Sequence, residues 1–450
     1  MAIDTEELVH SARAGTDHAV VVTSDGHCGP QPEQLREYCP HDRLDDFDAF
    51  FAAQRERRAA MPKDGRSRDE LLRTPQRNTL TEGGWDPHAR LRDMNYDGVA
   101  AEVIFHGLNQ GAGVWPLPWG DLIGTGADPT TPLELVGLGR HIYNRWLADF
   151  CSVEPERRAG LCHLPMWDID AAVNELEWAA DAGLRGINFP RVQAGIPPYN
   201  DPAWEPFWSL AEERVMPLST HAHGIPTGPS QEMLSGLPGS GIIGNLDLIG
   251  QPARIAMHYL IFGGVFERHP GLHLVFTEQP GTWWDWTMNE LDSMVKGLSL
   301  FNGPSAHFLS TMAKLPSEYC AEQVFIGATC LAEFEAKAAV AGGYQTQVLF
   351  GTDYPHPEGS FQLAQSDDEY PMTKLSLRDA LHDIDTDSAA LMAGENAARI
   401  YGLDLDLLRG VAAGIDAVTF DELAEPVTTE LDPPHIRGAF YSFRRHSGWH

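Results

Sequence analysis

Short apolar runs recur along the chain, and stretches of helical periodicity separate them. The runs fall at residues 19–25, 98–106, 158–165, 184–189, 216–221, 272–278, 323–327 and 347–353. They are apolar nearly throughout rather than alternating, the pattern of strands buried on both faces. Strands that alternate with helices predict a parallel sheet, and eight of them predict a closed (β/α)8 barrel. The intervening helices can be read as well. Residues 171–182 place Val173, Leu176 and Ala180 on one stripe. Residues 252–268 open with Pro252, suited to a first helical turn, and carry Ile255, Tyr259, Phe262 and Phe266 before His269-Pro270-Gly271 ends them. Residues 282–295 carry Trp283, Trp284, Met288, Leu291 and Met294, a stripe that packs a helix on a core.

Two segments break the rhythm, 107–132 after the second strand and 224–251 after the fifth. Both are rich in Gly and Pro and predict long loops. They follow strand C-termini, the face on which barrel enzymes build their sites, so they are expected to wall or cover one. An acidic stretch from residue 403 follows the last barrel helix. The expected organisation is a segment 1–18, a barrel 19–402 and an extension 403–450 that offers surface for contact with another subunit.

Composition narrows the function. With 64 acidic and 32 basic residues the formal charge is −32, which argues against a nucleic-acid binder and against docking on an anionic membrane. A hydrophobic share of 43% supplies a sizeable core. No run of about 18 apolar residues predicts a membrane span, and the acidic N-terminal residues do not read as a signal peptide. Six cysteines without a CxxC pair form no disulfide framework, so a cytoplasmic location is expected.

Titratable residues cluster where the predicted strands end. The first strand ends Ser24-Asp25-Gly26-His27, the fifth Thr220-His221-Ala222-His223, the sixth Thr277-Glu278 and the eighth Thr352-Asp353-Tyr354-Pro355-His356. Residues i and i+2 of a strand share a face, so Asp25 can face the same cavity as His27, and His221 the same as His223. Each cluster alone has a plain structural reading, such as a hydrogen-bonded histidine pair or a helix cap. Their coincidence at one end of one sheet points instead to a metal centre. His106, at the end of the second strand, is read either as a residue of the mouth or as a satisfied histidine. Trp115 is read as a pocket wall, and His163 as core or barrel lining.

Several of these segments resemble the amidohydrolase superfamily, in the branch that includes aminocarboxymuconate semialdehyde decarboxylase. They are the opening VVVTSDGHCGP, AGLRGINFP, RHPGLHLVFTEQPGTWWDW, VLFGTDYPHPEGS and the closing GENAARIYGL. The resemblance covers roughly residues 19–402. It implies metal ligands at the ends of the first, fifth, sixth and eighth strands: Asp25, His27, His221, Glu278 and Asp353, with His356, and with His223 as a second ligand or a substrate contact. Asp25 stands where the superfamily has the first histidine of HxH, and Glu278 where it has the sixth-strand histidine. Both changes occur together in a known subgroup. Carboxylates in place of imidazoles favour iron or manganese over zinc, as one ion or two. The fourth strand lacks the lysine that bridges dinuclear hydrolases.

Three functions follow from these expectations. The first is hydrolysis or decarboxylation of a small carboxylate or amide, with Asp353 and His221 handling protons and Arg191 clamping a substrate carboxylate. The second is a dinuclear iron or manganese oxygenase that hydroxylates a small molecule. The third is a scaffold subunit of a heteromeric enzyme. Assembly as a homo- or hetero-oligomer is expected in each.

Overall fold

Eight strands lie in the order β1–β8, every neighbouring pair parallel. They are β1 (Val22–Cys28), β2 (Ala101–His106), β3 (Arg158–Cys162), β4 (Gly186–Asn188), β5 (Leu218–His221), β6 (Leu274–Thr277), β7 (Val324–Thr329) and β8 (Val348–Gly351). A parallel bridge between Gly26 and Tyr354 brings β8 back to β1, and the whole is a (β/α)8 TIM barrel. The computed structural model describes residues 14–427 except 61–64, 108–114, 121–129, 222–250, 280, 302, 305–308, 310–311 and 367–368.

Strand alternation sorts the apolar side chains into two cores. Val22, Val103, Phe105, Leu161, Val275, Phe325 and Leu349 fill the lumen, and the helices Asn396–Ile400 and Leu405–Gly414 close it from below through Ile400, Leu408 and Ala412. Ile104, Ile187, Leu218, Leu274, Ile326 and Phe350 belong to the larger core that packs the sheet against its ring of helices. Residues after 402 thus share the core of the barrel floor. Asn396, from the closing motif, donates to the carbonyls of Gln345 and Val348 and so ties that floor to the start of β8.

The predicted strands are all present, with shifted ends. β1 begins and ends three residues later than expected, so Asp25 and His27 lie inside it. β7 continues two residues past its expected end, to Thr329. The helix expected over 252–268 is interrupted: Gln251–Phe262 gives way at Gly263-Gly264 to a short turn of helix, Val265–Arg268. Between β1 and β2 the chain forms helices the apolar pattern did not announce, including Leu44–Ala60 and Pro87–Asp97. Of the two long loops, residues 108–114, 121–129 and 222–250 lie outside the described residues. All six cysteines are free and buried, and no described helix is long and apolar enough to cross a membrane.

Candidate metal centre

The C-terminal ends of β1, β5, β6 and β8 meet at one point of the barrel mouth. The ladder between β1 and β2 slips between Thr23 and Gly26, an irregularity of the bulge type that re-aims side chains. Asp25 Oδ1 lies 3.2 Å from His27 Nε2 and 3.4 Å from His221 Nε2. His27 Nε2 is also 3.3 Å from Asp353 Oδ1. His356 Nδ1 is 2.7 Å from that same Asp353 oxygen, and the His356 ring stacks on His27 with centroids 4.4 Å apart. Glu278 Oε2 is 3.6 Å from His221 Nδ1. Two triads, Asp25–His27–His221 and His27–Asp353–His356, each offer ligand atoms within 4.8 Å of one another.

Asp25, His27 and Asp353 are buried. Asp25 Oδ1, Asp353 Oδ1 and both ring nitrogens of His27 make no in-line hydrogen bond. Buried polar atoms normally have partners, and orphaned lone pairs gathered on one spot are what a cation would satisfy. The ionisation pattern agrees. Burial pushes the Asp25 carboxyl up, but His221 and His27 outweigh it and hold Asp25 well below the usual carboxylate range. Asp353 is likewise lowered against the effect of burial, by His356 and His27. Glu278 is driven well above the usual range, by burial and then by the charges of Asp353 and Asp25. The histidines thus stabilise the charges of Asp25 and Asp353, and those two charges in turn disfavour a third at Glu278. The donor set, three carboxylates and up to three imidazoles, fits a divalent ion of the hard or borderline kind.

The backbone here is held in an unusual state. Glu278, Cys330 and Asp353, just beyond β6, β7 and β8, have φ of 58°, 54° and 55°. Non-glycine residues at such angles cost about 1–3 kcal/mol each and concentrate at functional sites.

The other expected residues separate. His106 follows Ile104 onto the helix-facing side of β2. Its ring sits edge-on to Tyr143 at 5.1 Å, with His163 6.0 Å away. His163 contacts Asn188 Nδ2 at 3.0 Å. Trp115 donates to Gln31 Oε1 at 3.1 Å and lies under the Arg58 guanidinium at 4.1 Å. Arg191 is half-buried in the loop after β4. His223 lies outside the described residues.

Three contributors escaped the sequence reading. Thr329 at the end of β7 donates to Asp25 Oδ2; its signal was a polar strand end like the others. Arg90, on the helix Pro87–Asp97, donates to the His27 carbonyl at 2.8 Å and to Glu102 Oε2 at 2.7 Å. An acid inside the apolar run AAEVIF was the clue there, because a buried charge requires a partner. Arg254 donates to Gln279, next to Glu278, and stacks on Trp283 at 4.7 Å.

Known proteins place this architecture. The chain is 25% identical over 323 residues to the 2-amino-3-carboxymuconate-6-semialdehyde decarboxylase of Dictyostelium discoideum, covering 71% of this chain and 77% of that one. Its fold resembles 5-carboxyvanillate decarboxylase from Sphingomonas paucimobilis, with a TM-score of 0.57 at 20% identity over 86% of this chain and all of the other. It also resembles a dihydroxybenzoic acid decarboxylase from Polaromonas sp. JS666, solved with bound manganese and the inhibitor 2-nitroresorcinol. There the TM-score is 0.53 at 16% identity, over 86% of this chain and 97% of the other. The family pattern described as amidohydrolase matches residues 127–403, well over half of the sequence. With the barrel and its mouth in hand, the chain belongs to the amidohydrolase family.

Proposed function

We propose that this protein is a divalent-metal-dependent decarboxylase of a small aromatic or conjugated carboxylate. The observation that carries the reading is the convergence of the ligand atoms of Asp25, His27, His221 and Asp353 at the mouth of a barrel whose relatives named above are decarboxylases. Asp25, His27, His221 and Asp353 would hold the ion, with Glu278 and His356 completing its surroundings. Three carboxylates among these donors favour manganese or iron over zinc. A bound divalent cation supplies a Lewis acid that orients the substrate and steadies its developing charge.

The chain's own residues do the rest. Decarboxylation breaks the bond between the carboxylate carbon and its neighbour. The carboxylate leaves as carbon dioxide, the electron pair stays on the neighbouring carbon, and a proton must arrive there. In this reading Asp353 and His221 would relay that proton, taking it up from water before passing it to the carbon. Arg191 would clamp a substrate carboxylate through a charge-assisted hydrogen bond. The buried ring of Phe105, 4.9 Å from that of His221, would give the site an apolar wall on that side.

The test supplies metal-loaded protein with a panel of aromatic carboxylates, including 2,6-dihydroxybenzoate and 5-carboxyvanillate, in heavy water. The expected result is release of carbon dioxide with one deuterium at the vacated carbon. Oxygen consumption, or cleavage of amides and esters without carbon dioxide, would overturn the proposal.

A further inference from the structure

The seam between β1 and β8 carries three of the four central ligands, yet its main-chain pairing is slight. Among the described residues it consists of two hydrogen bonds, His27 N to Tyr354 O at 2.7 Å and Asp353 N to Asp25 O at 2.9 Å. Side chains of Thr23 and Thr352 add a further link. Every other neighbouring pair of strands is joined by a parallel ladder, that of β1 and β2 with the slip between Thr23 and Gly26. The metal geometry therefore depends on a joint that the sheet alone does not rigidify.

One side chain spans that joint from outside the barrel. Arg90 is fully buried. Its Nη1 donates to the carbonyl of His27 on β1. Its Cζ lies over the ring of Tyr354, the residue after Asp353, 3.6 Å from the ring centroid. Its Nε and Nη2 engage Glu102 of β2, at 2.7 and 2.5 Å, which neutralises the buried charge. The Tyr354 hydroxyl donates in turn to Asp93 at 2.6 Å, on the same helix as Arg90. One helix thus grips both sides of the seam.

We propose that Arg90 and Tyr354 form a clamp that sets the spacing of Asp25, His27 and Asp353, and that Arg90 is a positioning residue for the metal centre. The inference rests on the metal-site reading above. A planar guanidinium is required, because it must present donors in its plane to His27 and Glu102 and a flat face to Tyr354 at once. Lysine keeps the charge for Glu102 but offers neither the fork nor the face.

The test uses full-length Arg90→Lys and Tyr354→Leu. Two quantities are measured on each: the dissociation constant for manganese by chelator competition, and amide hydrogen exchange resolved by residue. The expected result is manganese binding weakened 10–100-fold, the usual consequence of losing an outer partner of a ligand. Exchange at the His27 and Asp353 amides should quicken at least about tenfold, with the β3–β6 strands unchanged. Wild-type manganese binding together with unchanged exchange at those two amides would overturn the clamp. Uniform acceleration across all strands with wild-type manganese binding would also overturn it, by reducing Arg90 to general stability. If Arg90→Lys does not fold, Tyr354→Leu decides, since it leaves the Arg90–Glu102 pair intact. A wild-type protein that takes up no manganese would count against the proposed function, while the exchange measurements would still decide the clamp.

Discussion

Gly26 sits between two proposed ligands, and replacing it with alanine tests the packing behind the site. A Cβ at this position would lie 2.9 Å from Arg90 Nη2, 3.2 Å from the Val103 carbonyl and 3.5 Å from Glu102 Oε2. An unstrained contact needs about 3.5–4.0 Å, so the guanidinium or the strand must retreat by several tenths of an ångström. Neither is free to do so, because Arg90 is held by His27, Glu102 and Tyr354. Overpacking of this kind costs about 1–3 kcal/mol. Gly26→Ala should therefore lower Tm by a few degrees, and the displaced His27 should weaken metal binding. Gly410→Ala supplies the control. That residue lies inside the helix Leu405–Gly414 with nothing within 4 Å of an added Cβ, so alanine should stabilise it by about 0.5–1 kcal/mol. Differential scanning fluorimetry and manganese titration read both variants. If Gly26→Ala matches wild type in both measurements, or if the two variants shift Tm in the same direction, the reasoning fails.

Two further outcomes are expected. Burial pushes Asp97 from 3.8 up to about 7 against a hydrogen bond from Thr373, and its Oδ1 has no hydrogen-bond partner. Between those two values the folded protein keeps a proton that the unfolded chain has released, so stability falls as pH rises through that window. Asp97→Asn should be more stable than wild type by about 1–3 kcal/mol at pH 8, with the gap closing toward pH 4; equal stability at pH 8 would contradict this. Arg191→Ala should raise KM roughly 10–100-fold for a carboxylate substrate, with a smaller effect on kcat, and an unchanged KM in steady-state kinetics would remove Arg191 from the pocket.

The barrel was legible because a strand buried on both faces must be apolar along its length, and each of the eight runs says so locally. Strand ends were less legible. The first strand reads as ending at Asp25-Gly26-His27, since nothing local shows that Thr329, Arg90 and the segment after β8 supply partners that keep it paired through Cys28. The helix Leu44–Ala60 was silent because it buries only Phe47 and Phe51, too few apolar positions to declare a period. Asp353 and His356 could be found because three positions of chain separate them and both contact His27. His106 was harder, because its side of β2 depends on register, which the sequence does not state. Arg90 was hidden for another reason: its partners come from β1, β2 and the segment after β8, and only the closed barrel brings them together.

The central claim is that a divalent cation sits among Asp25, His27, His221 and Asp353. Elemental analysis of protein purified without added metal, paired with anomalous diffraction from its crystals, tests it most directly. The account predicts manganese or iron at near-stoichiometric level, with an anomalous peak in contact with those four side chains. Protein that takes up no divalent metal even when it is supplied, or a peak elsewhere in the fold, would contradict it.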